Sequence, residues 1–252
     1  MTEGDYSVHI YGITDVGVVR QNNEDAIAFE PSQGVAILAD GMGGHNAGEV
    51  ASHLAVETVQ RSLTNGTSHN GTEALAYAEE LEAAVHKANT AVYERSKLIA
   101  DCSGMGTTLV VACFHRDQLH FANVGDSRLY LYRGGALSQL TRDHSLVAEM
   151  VERGFMSAEE AISSPQKNII TRAVGLQPEV EVDIYQQSLQ VGDLYLLCSD
   201  GLTDVVDIQG IHDCIEDNIA DIEALARQLV DQALDAGGPD NISVIVVQLQ
   251  AN

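Results

Sequence analysis

The chain has 252 residues, of which 45% are hydrophobic, so it is long enough to bury a substantial core. Its 13 lysines and arginines stand against 37 aspartates and glutamates, which gives a formal net charge of −24. Such a charge disfavours binding to nucleic acid or to an anionic membrane by electrostatic attraction. We therefore expect neither among the partners of this protein.

The cysteines and the N-terminal residues bear on location. Cys102, Cys113, Cys198 and Cys214 include no closely spaced pair, so neither a zinc ribbon nor a redox CxxC motif is present. We expect buried thiols. The first residues, MTEGDYSVHI, lack the basic and apolar regions of a signal peptide, and no apolar run reaches the roughly 20 residues that span a bilayer. The sequence predicts a soluble, cytoplasmic protein, and we expect a monomer.

In chain order, the first predicted elements are strands. YSVHIYGITD (6–15) predicts one strand, and DAIAFEPSQGVAILAD (25–40) predicts a hairpin with proline and glycine in its turn. A helical pattern follows over 47–63. After the polar break TNGTSHNGT, apolar residues spaced by three and four predict a second helix over 75–92. Each helix can bury one face against a sheet.

The following segment, GTTLVVACFHRDQLHFANVGDSRLYLYRGGALSQL (106–140), predicts an antiparallel meander with turns at RDQ, GD and RGG. Residues 143–176 are predicted to be helical and loop-like. Within them, Ser157 and Glu160 have the spacing of a capping box. The remaining predicted elements are two strands, a helix and a final strand, at 179–189, 193–200, 221–234 and 240–250.

Strands clustered in meanders, with helix pairs between them, favour antiparallel sheets covered by helices over a parallel βαβ array. The sequence therefore predicts a layered α+β fold. It contains no internal repeat and no low-complexity linker, so we expect a single domain over residues 1–252.

Four aspartates share one context, because each lies at or beside the junction of an apolar strand and a turn of small residues. They are Asp40 in AILADG, Asp126 in NVGDSR, Asp200 in LLCSDG and Asp240 in GGPDNIS. Asp-Gly and Asp-Asn pairs are also good turn formers, which is the simpler interpretation of any one of them alone. If the strand ends meet at one edge, the acids would repel one another unless protons or cations neutralise them. Oxygen ligands alone favour Mg²⁺ or Mn²⁺ over zinc.

A second group of charged residues lies in TDVGVVRQNNEDA, where Arg20 precedes Glu24 and Asp25. A guanidinium can bind phosphate with two parallel hydrogen bonds and stays charged throughout. The alternative is a surface ion pair with a nearby acid, since such pairs are common and weak. The scarcity of basic residues in this chain favours a functional role for Arg20.

Eight segments, taken together, resemble the bacterial metal-dependent protein phosphatases of the protein phosphatase 2C type (PPM family). They run in order from about residue 7 to residue 249: TDVGVVRQNNEDA, ADGMGGHNAGEVAS, GMGTTLVVA, NVGDSRLYLYR, LTRDHSLV, NIITRAVG, LLCSDGLTD and GGPDNISVIVV. The resemblance implies a central sandwich of two antiparallel β-sheets flanked by helix pairs, with a two-metal centre at one end. It also implies hydrolysis of phosphoserine and phosphothreonine in proteins, opposite a bacterial serine/threonine kinase, with Mn²⁺ or Mg²⁺ as cofactor.

The same resemblance implies roles for individual residues. Asp40 would bridge two metals, the carbonyl of Gly41 would bind one of them, and Asp200 and Asp240 would bind the other. Glu24 would bind through water with Asp25 in support, and Asp126 would share a third, weaker metal with Asp200. Arg20 would bind the phosphate, and residues 145–172 would form a helical flap beside the site.

Two cations about 3.5 to 4 Å apart can lower the pKa of a shared water until it is largely hydroxide near neutral pH. That hydroxide could attack phosphorus directly, and the leaving serine or threonine would then need a proton. Eukaryotic relatives carry histidine directly after the DG pair, where this chain has Met42. His45 is a candidate general acid, and a solvent-exposed or capping histidine, with a metal-bound water as the acid, is the alternative.

Other interpretations of these motifs are weaker. In DGMGGHNAGE, Asn46 replaces the third glycine of GxGxxG and Glu49 replaces the lysine of GxxxxGK[ST], which argues against a nucleotide-binding module. Ser199 lacks the GxSxG context of a nucleophile, so we interpret it as local structure. A catalytically inactive interaction domain is the remaining alternative, although every matched metal position keeps its acid.

Overall fold

The structure is a computed structural model that describes residues 6–44, 47–65 and 74–252. Its strands are β1 (Tyr6–Asp15), β2 (Asp25–Glu30), β3 (Val35–Met42), β4 (Gly106–Thr107), β5 (Leu109–His115), β6 (Gln118–Val124), β7 (Arg128–Arg133), β8 (Ala136–Gln139), β9 (Asp183–Ser188), β10 (Leu194–Cys198) and β11 (Ile242–Ala251). Its helices are α1 (Ala47–Asn65), α2 (Ala74–Leu98), α3 (Leu146–Glu152), α4 (Ala158–Ile162), α5 (Asp200–Thr203), α6 (Ile208–Asn218) and α7 (Ile222–Asp235).

The strands form two antiparallel sheets. The first has the order β1-β11-β10-β7-β8, and the second has the order β2-β3-β5-β6-β9 with β4 paired to β3. The longest ladder joins the two ends of the chain, since β1 pairs with β11 from Tyr6↔Ala251 to Asp15↔Ile242. This pairing adds β1 to the first sheet through residues that are more than two hundred positions apart in sequence.

Strand β10 shows why the sheets stack. Its side chains alternate, so Tyr195 and Leu197 join the cluster between the two sheets, whereas Leu194, Leu196 and Cys198 face the helices outside. Both faces are therefore buried, and LYLLC is apolar throughout instead of alternating with polar residues. The result is a four-layer α-β-β-α arrangement with an apolar core between each pair of layers.

Two pairs of helices cover the sandwich. Helices α1 and α2 pack on the second sheet, while α6 and α7 pack on the first. The Asp221 side chain caps α7 by accepting hydrogen bonds from the backbone N–H groups of Glu223 and Ala224. Helix α6 is absent from the sequence prediction, because Gly210 and a surplus of acids obscure the apolar spacing of Ile211 and Ile215.

The predicted α+β fold, with two antiparallel sheets flanked by helices, is confirmed. One detail of the sequence analysis is wrong, since residues 106–140 do not form one continuous meander. Strands β5 and β6 belong to the second sheet, and β7 and β8 belong to the first. The chain crosses between sheets at Gly125, whose φ of +108° is a conformation that favours glycine.

Residues 145–172, the predicted flap, hold α3 and α4 and the turns around them. The capping box of Ser157 and Glu160 is present at the start of α4, as the spacing predicts. Ser145 caps α3, accepting from Ala148 N–H, and forms an isolated β-bridge with Ile170. The two ends of the flap therefore lie side by side.

The cysteine prediction holds, because Cys102, Cys113, Cys198 and Cys214 are all buried free thiols. Within the described residues, no helix combines the length and apolar character that crossing a bilayer requires.

The core between the sheets should tolerate truncation poorly. Leu197 is 0% exposed, so we expect Leu197→Ala to lower the free energy of unfolding by about 2 to 5 kcal/mol, since it removes buried methyl groups and leaves a cavity. Leu98, 82% exposed, is the matched control, and Leu98→Ala should cost less than about 0.5 kcal/mol. Urea unfolding measures both variants. Equal losses would contradict the assigned core.

Candidate metal centre

The predicted acids meet at one edge of the sandwich. Asp25 and Asp40 are direct cross-strand neighbours in β2 and β3. Ser199, which follows β10 of the other sheet, donates a hydrogen bond from Oγ to Asp25 Oδ2 at 2.8 Å. The Ser199 hydroxyl also accepts from Ser243 N–H at 3.0 Å. Ser199 thus links the two sheets beneath the acids, in agreement with its interpretation as local structure.

Asn241 fixes the segment that carries Glu24. Its Oδ1 accepts from Glu24 N–H at 2.8 Å, and its Nδ2 donates to the carbonyls of Val16 and Asn22, each at 2.9 Å. The side chain is 4% exposed and lies next to Asp240 in the chain. Sequence reasoning missed this role, because the only local signal was the DN pair, which is typical of any turn.

Thr108 and Thr107 hold the backbone of Asp40. Asp40 N–H donates to Thr108 Oγ1 at 2.9 Å, and the Asp40 carbonyl accepts from Thr108 N–H at 2.8 Å and from Thr107 Oγ1 at 2.9 Å. The carboxylate of Asp40 is therefore not needed to anchor its own residue. Both threonines were missed as site residues, since they lie more than sixty positions from Asp40 in sequence.

Two glycines allow the loops to approach closely. A Cβ at Gly41 would lie 2.1 Å from the carbonyl oxygen of Gly48 and 2.5 Å from that of Glu24. A Cβ at Gly201 would lie 1.9 Å from the carbonyl oxygen of Asn241. Any side chain at either position would push apart the segments that carry the acids, which is why the DG pairs at 40–41 and 200–201 matter for more than their turns.

The acids are close enough to perturb one another. Burial, together with the charges of Asp126 and Asp204, raises the pKa of Asp200 to about 8. Burial also raises the pKa of Asp40 well above its usual range, with Asp25 and Asp200 as the next causes. In both cases the environment disfavours the ionised form, as it does for carboxylates that share one site.

Among the residues that the structure describes, three buried carboxylate oxygens have no hydrogen-bond partner, one each on Asp25, Asp126 and Asp200. The pKa values of Asp25 and Asp126 are each raised to about 6, with burial as the largest cause. Buried acceptors of this kind are costly unless something binds them. They fit the binding of a positively charged group at this edge.

The donor set fits a hard divalent cation. Oxygen ligands are what Mg²⁺ and Mn²⁺ prefer. Within residues 6–44, 47–65 and 74–252, no three histidine, cysteine, aspartate or glutamate side chains form a ready-made ion cage. Mg²⁺ does not require one, since it keeps several waters and is usually bound through one or two carboxylates. The repulsion among the acids and their unpartnered oxygens therefore remain the observations that favour cations here.

Arg20 and Glu24 complete the edge. The Arg20 Nη2 donates to Asp240 Oδ2 at 2.7 Å, and its side chain is 48% exposed. The ion pair that sequence analysis held as the alternative thus exists, but its acid is a member of the site. Burial raises the pKa of Glu24, while Arg20 lowers it and Asp240 raises it. Glu49, at the start of α1, also raises it and was not predicted as a neighbour.

The structure brings nearly all the predicted site residues together. They are Arg20, Glu24, Asp25, Asp40, Gly41, Asp126, Asp200 and Asp240. His45, the candidate general acid, lies outside the described residues. The predicted flap reaches the same edge, since Lys167 Nζ lies 3.0 Å from Asp204 Oδ2, and Asp204 caps the C-terminus of α5, the helix that begins at Asp200.

An acidic edge suited to divalent cations, beside a half-exposed guanidinium suited to an anion, defines the class of a metal-dependent enzyme that acts on phosphate groups. A family model described as protein phosphatase 2C matches residues 18–236. The serine/threonine phosphatase stp of Listeria welshimeri is 42% identical over 242 residues, which cover 93% of each chain. PstP, a serine/threonine protein phosphatase of Mycobacterium tuberculosis, is 40% identical over 94% of this chain and 44% of its own length.

Solved structures agree. The crystal structure of Mycobacterium tuberculosis PstP/Ppp matches with a TM-score of 0.89 at 38% identity, covering 97% of this chain and 99% of that one. The catalytic domain of PstP in complex with two manganese ions matches with a TM-score of 0.86 at 37% identity, with the same coverage. This chain therefore belongs to the protein phosphatase 2C family, and the predicted resemblance is confirmed. As a member of that family it is a protein phosphatase.

The raised pKa values predict how stability depends on pH without metal. Asp126 and Asp200 bind protons more tightly in the folded protein than in the unfolded chain, whose aspartates titrate at about 3.9, so their contribution to stability is present at low pH and is lost as pH rises through their folded values. We expect the unfolding temperature of chelator-treated protein to fall between about pH 5 and about pH 8.5. Added Mn²⁺ should reverse the fall.

Asp200→Asn tests the cause of that fall. The variant should unfold about 3 °C higher than the wild type at alkaline pH without metal, roughly 1 kcal/mol, because it removes one repelling charge. Asp217→Asn, at an exposed position of α6, is the matched control and should leave the pH profile unchanged. A metal-free protein whose stability rises over this range would contradict the electrostatic description.

Proposed function

We propose that this protein hydrolyses phosphoserine and phosphothreonine in proteins with the help of two divalent cations held at the acidic edge. The observation that carries the proposal is the set of buried, mutually repelling carboxylates with unpartnered oxygens, placed beside Arg20. The family membership and the serine/threonine phosphatases among its relatives support this reaction. The PstP catalytic domain bound to two manganese ions supports the number of cations.

Asp40, Asp200 and Asp240 would hold the cations, with the Gly41 carbonyl, Glu24 and Asp25 completing or supporting the set. When bound, two such cations supply an activated water as nucleophile and offset charge on the phosphoryl group. The protein orients that set through neutral groups, since Thr108 holds the backbone of Asp40 and Asn241 holds that of Glu24. Asp126 together with Asp200 is the proposed third, weaker site.

Arg20 would bind the phosphate of the substrate. One N–H of its guanidinium donates to Asp240, which aims the side chain at the acidic edge, and half of the side chain is exposed to an incoming group. A guanidinium has five N–H donors in a fork that matches phosphate oxygens. Arg20 therefore orients the phosphoryl group and offsets its charge within an otherwise negative surface.

The leaving serine or threonine oxygen must gain a proton. His45 is the candidate acid that the sequence predicts, and its role stays a prediction. So do the cytoplasmic location, the monomeric state and an opposing bacterial serine/threonine kinase, although phosphoproteins as substrates follow from the proposed reaction.

The reaction is tested with a phosphothreonine peptide. Release of phosphate should need added Mn²⁺ or Mg²⁺ and stop with excess chelator, and Asp200→Asn should lower kcat/KM by at least about 100-fold, because a carboxylate ligand is lost. Asp217→Asn is the control and should keep wild-type rates. Equal turnover in excess chelator would contradict the metal-dependent mechanism. A fully active Asp200→Asn would show that Asp200 is not one of the metal ligands.

The role of Arg20 has a separate kinetic signature. Arg20→Ala should raise KM for the phosphopeptide about tenfold and change kcat less, because uniform binding of the phosphate is lost. Arg20→Lys should recover only part of the loss, since lysine keeps the charge but not the fork. Arg61→Ala removes an exposed arginine that pairs only loosely with Glu57 and serves as control. An unchanged KM in Arg20→Ala would assign phosphate binding elsewhere.

A further inference from the structure

His144 occupies a buried position between the turn that carries Asp126 and the base of the flap. Its side chain is 5% exposed. The backbone N–H of Gly125 donates to His144 Nδ1 at 3.0 Å, and the backbone N–H of His144 donates to the carbonyl of Gly125 at 2.9 Å. His144 therefore holds both polar groups of the residue that immediately precedes Asp126.

The other side of the imidazole faces the second sheet. Its Nε2 lies 3.2 Å from Asp183 Oδ2 and 3.0 Å from Arg172 Nη1, which itself donates to Asp183 Oδ1 at 2.6 Å. Because Nδ1 accepts a hydrogen bond, the ring proton belongs on Nε2, where it can be donated to Asp183. Burial lowers the pKa of His144 and Arg172 lowers it further, so the neutral ring is favoured.

The flap begins and ends against the same residue. Thr171 N–H donates to the His144 carbonyl at 2.8 Å, and Leu146 N–H donates to the Ile169 carbonyl at 2.8 Å. Arg172, which contacts the imidazole, is the last residue of the flap. One histidine thus touches the Asp126 turn, the exit of the flap and strand β9.

The turn itself has little freedom. Gly125 has φ +108°, and a Cβ there would lie 2.7 Å from the Thr108 side chain. Thr108 in turn accepts from Asp40 N–H and shares a hydrogen bond with Ser127 Oγ at 2.7 Å. Gly125 is therefore confined between Thr108, beside Asp40, and His144, and the direction of the Asp126 side chain follows from that confinement.

The confinement of Gly125 matters because Gly125 precedes Asp126, whose carboxylate lies in the candidate metal centre. Its Oδ1 is buried and has no hydrogen-bond partner within the described part of the chain, and the charge of Asp143 adds to burial in raising the pKa of Asp126. Asp143 is itself held by Arg128 through three contacts of 2.7 to 3.1 Å. Among the described residues, no side-chain contact holds the Asp126 carboxylate as firmly as the backbone of its turn does. The position of that carboxylate therefore depends on the turn.

We propose that His144 is a positioning residue, which sets Asp126 for cation binding by holding Gly125 through Nδ1 and joins that turn to strand β9 through Nε2. The proposal rests on the proposed function, because Asp126 matters as a ligand only in a metal-dependent enzyme. The Nδ1 contact is the observation that carries the proposal, because a histidine that merely fills the core would act through packing alone.

Two substitutions of His144 separate the contact made by Nδ1 from the contact made by Nε2. In His144→Asn, Oδ1 stands as many bonds from the backbone as Nδ1 and can accept from Gly125 N–H, but the contact with Asp183 is lost. In His144→Gln, Nε2 can reach Asp183, but the acceptor for Gly125 is lost. Thr141→Val is the control for general destabilisation, since it removes the Oγ1 that accepts from Leu129 N–H at 3.0 Å in the same segment.

Two measurements on the full chain decide the matter. Calorimetric titration with Mn²⁺ should show the weakest binding step about tenfold weaker in His144→Gln, and within about twofold of wild type in His144→Asn and Thr141→Val. Hydrogen exchange of the metal-free proteins should be faster at the Gly125 amide in His144→Gln alone, because only that variant frees this N–H.

The outcomes are distinct. Equal loss of Mn²⁺ affinity in His144→Asn and His144→Gln, the same loss in Thr141→Val, or unchanged affinity and exchange in His144→Gln would each overturn the assignment. If the wild type binds Mn²⁺ but releases no phosphate from phosphopeptides, the proposed function fails, while the comparison of the variants still decides whether His144 positions Asp126.

Discussion

Electrostatic repulsion among acids at one edge of the sandwich is the constraint on which the rest of this structure depends. Asp40 lies within reach of the charges of Asp25, Asp126, Asp200 and Asp240, and burial removes the water that would screen them. Such a group cannot hold itself together. The rest of the chain has to supply the cohesion, which comes from apolar layers on both faces of both sheets.

The groups that hold Asp25 and the backbones of Asp40 and Glu24 are uncharged. Thr108 and Thr107 bind the backbone of Asp40, Asn241 binds the backbone of Glu24, and Ser199 binds only one oxygen of Asp25. Because neutral donors and acceptors hold the main chain, the carboxylates stay available for a ligand. A site assembled in this way is preorganised for cations and destabilising without them, as expected where function and stability conflict.

The sequence predicts the acids well and their supports poorly, for a physical reason. An aspartate and a glycine at the end of an apolar run are a local signal, and the runs at 35–41 and 194–201 both carry it. Asn241 and Glu24 are 217 positions apart, and no period or turn preference links them. The same limit explains why the predicted meander is wrong. Strand patterns do not say to which sheet a strand belongs, and here the change of sheet takes place at Gly125.

The net charge of −24 gives the whole chain the same sign as the acidic edge itself. A phosphorylated substrate gains no long-range attraction from such a surface, and screening confines charge effects to about 8 Å at physiological salt. Recognition must therefore act at contact distance, through Arg20 and the groups that neutralise the acids. Arg20 is itself tied to Asp240 at 2.7 Å, so the positive group that we propose for phosphate binding is held by one of the carboxylates that would otherwise repel the phosphate.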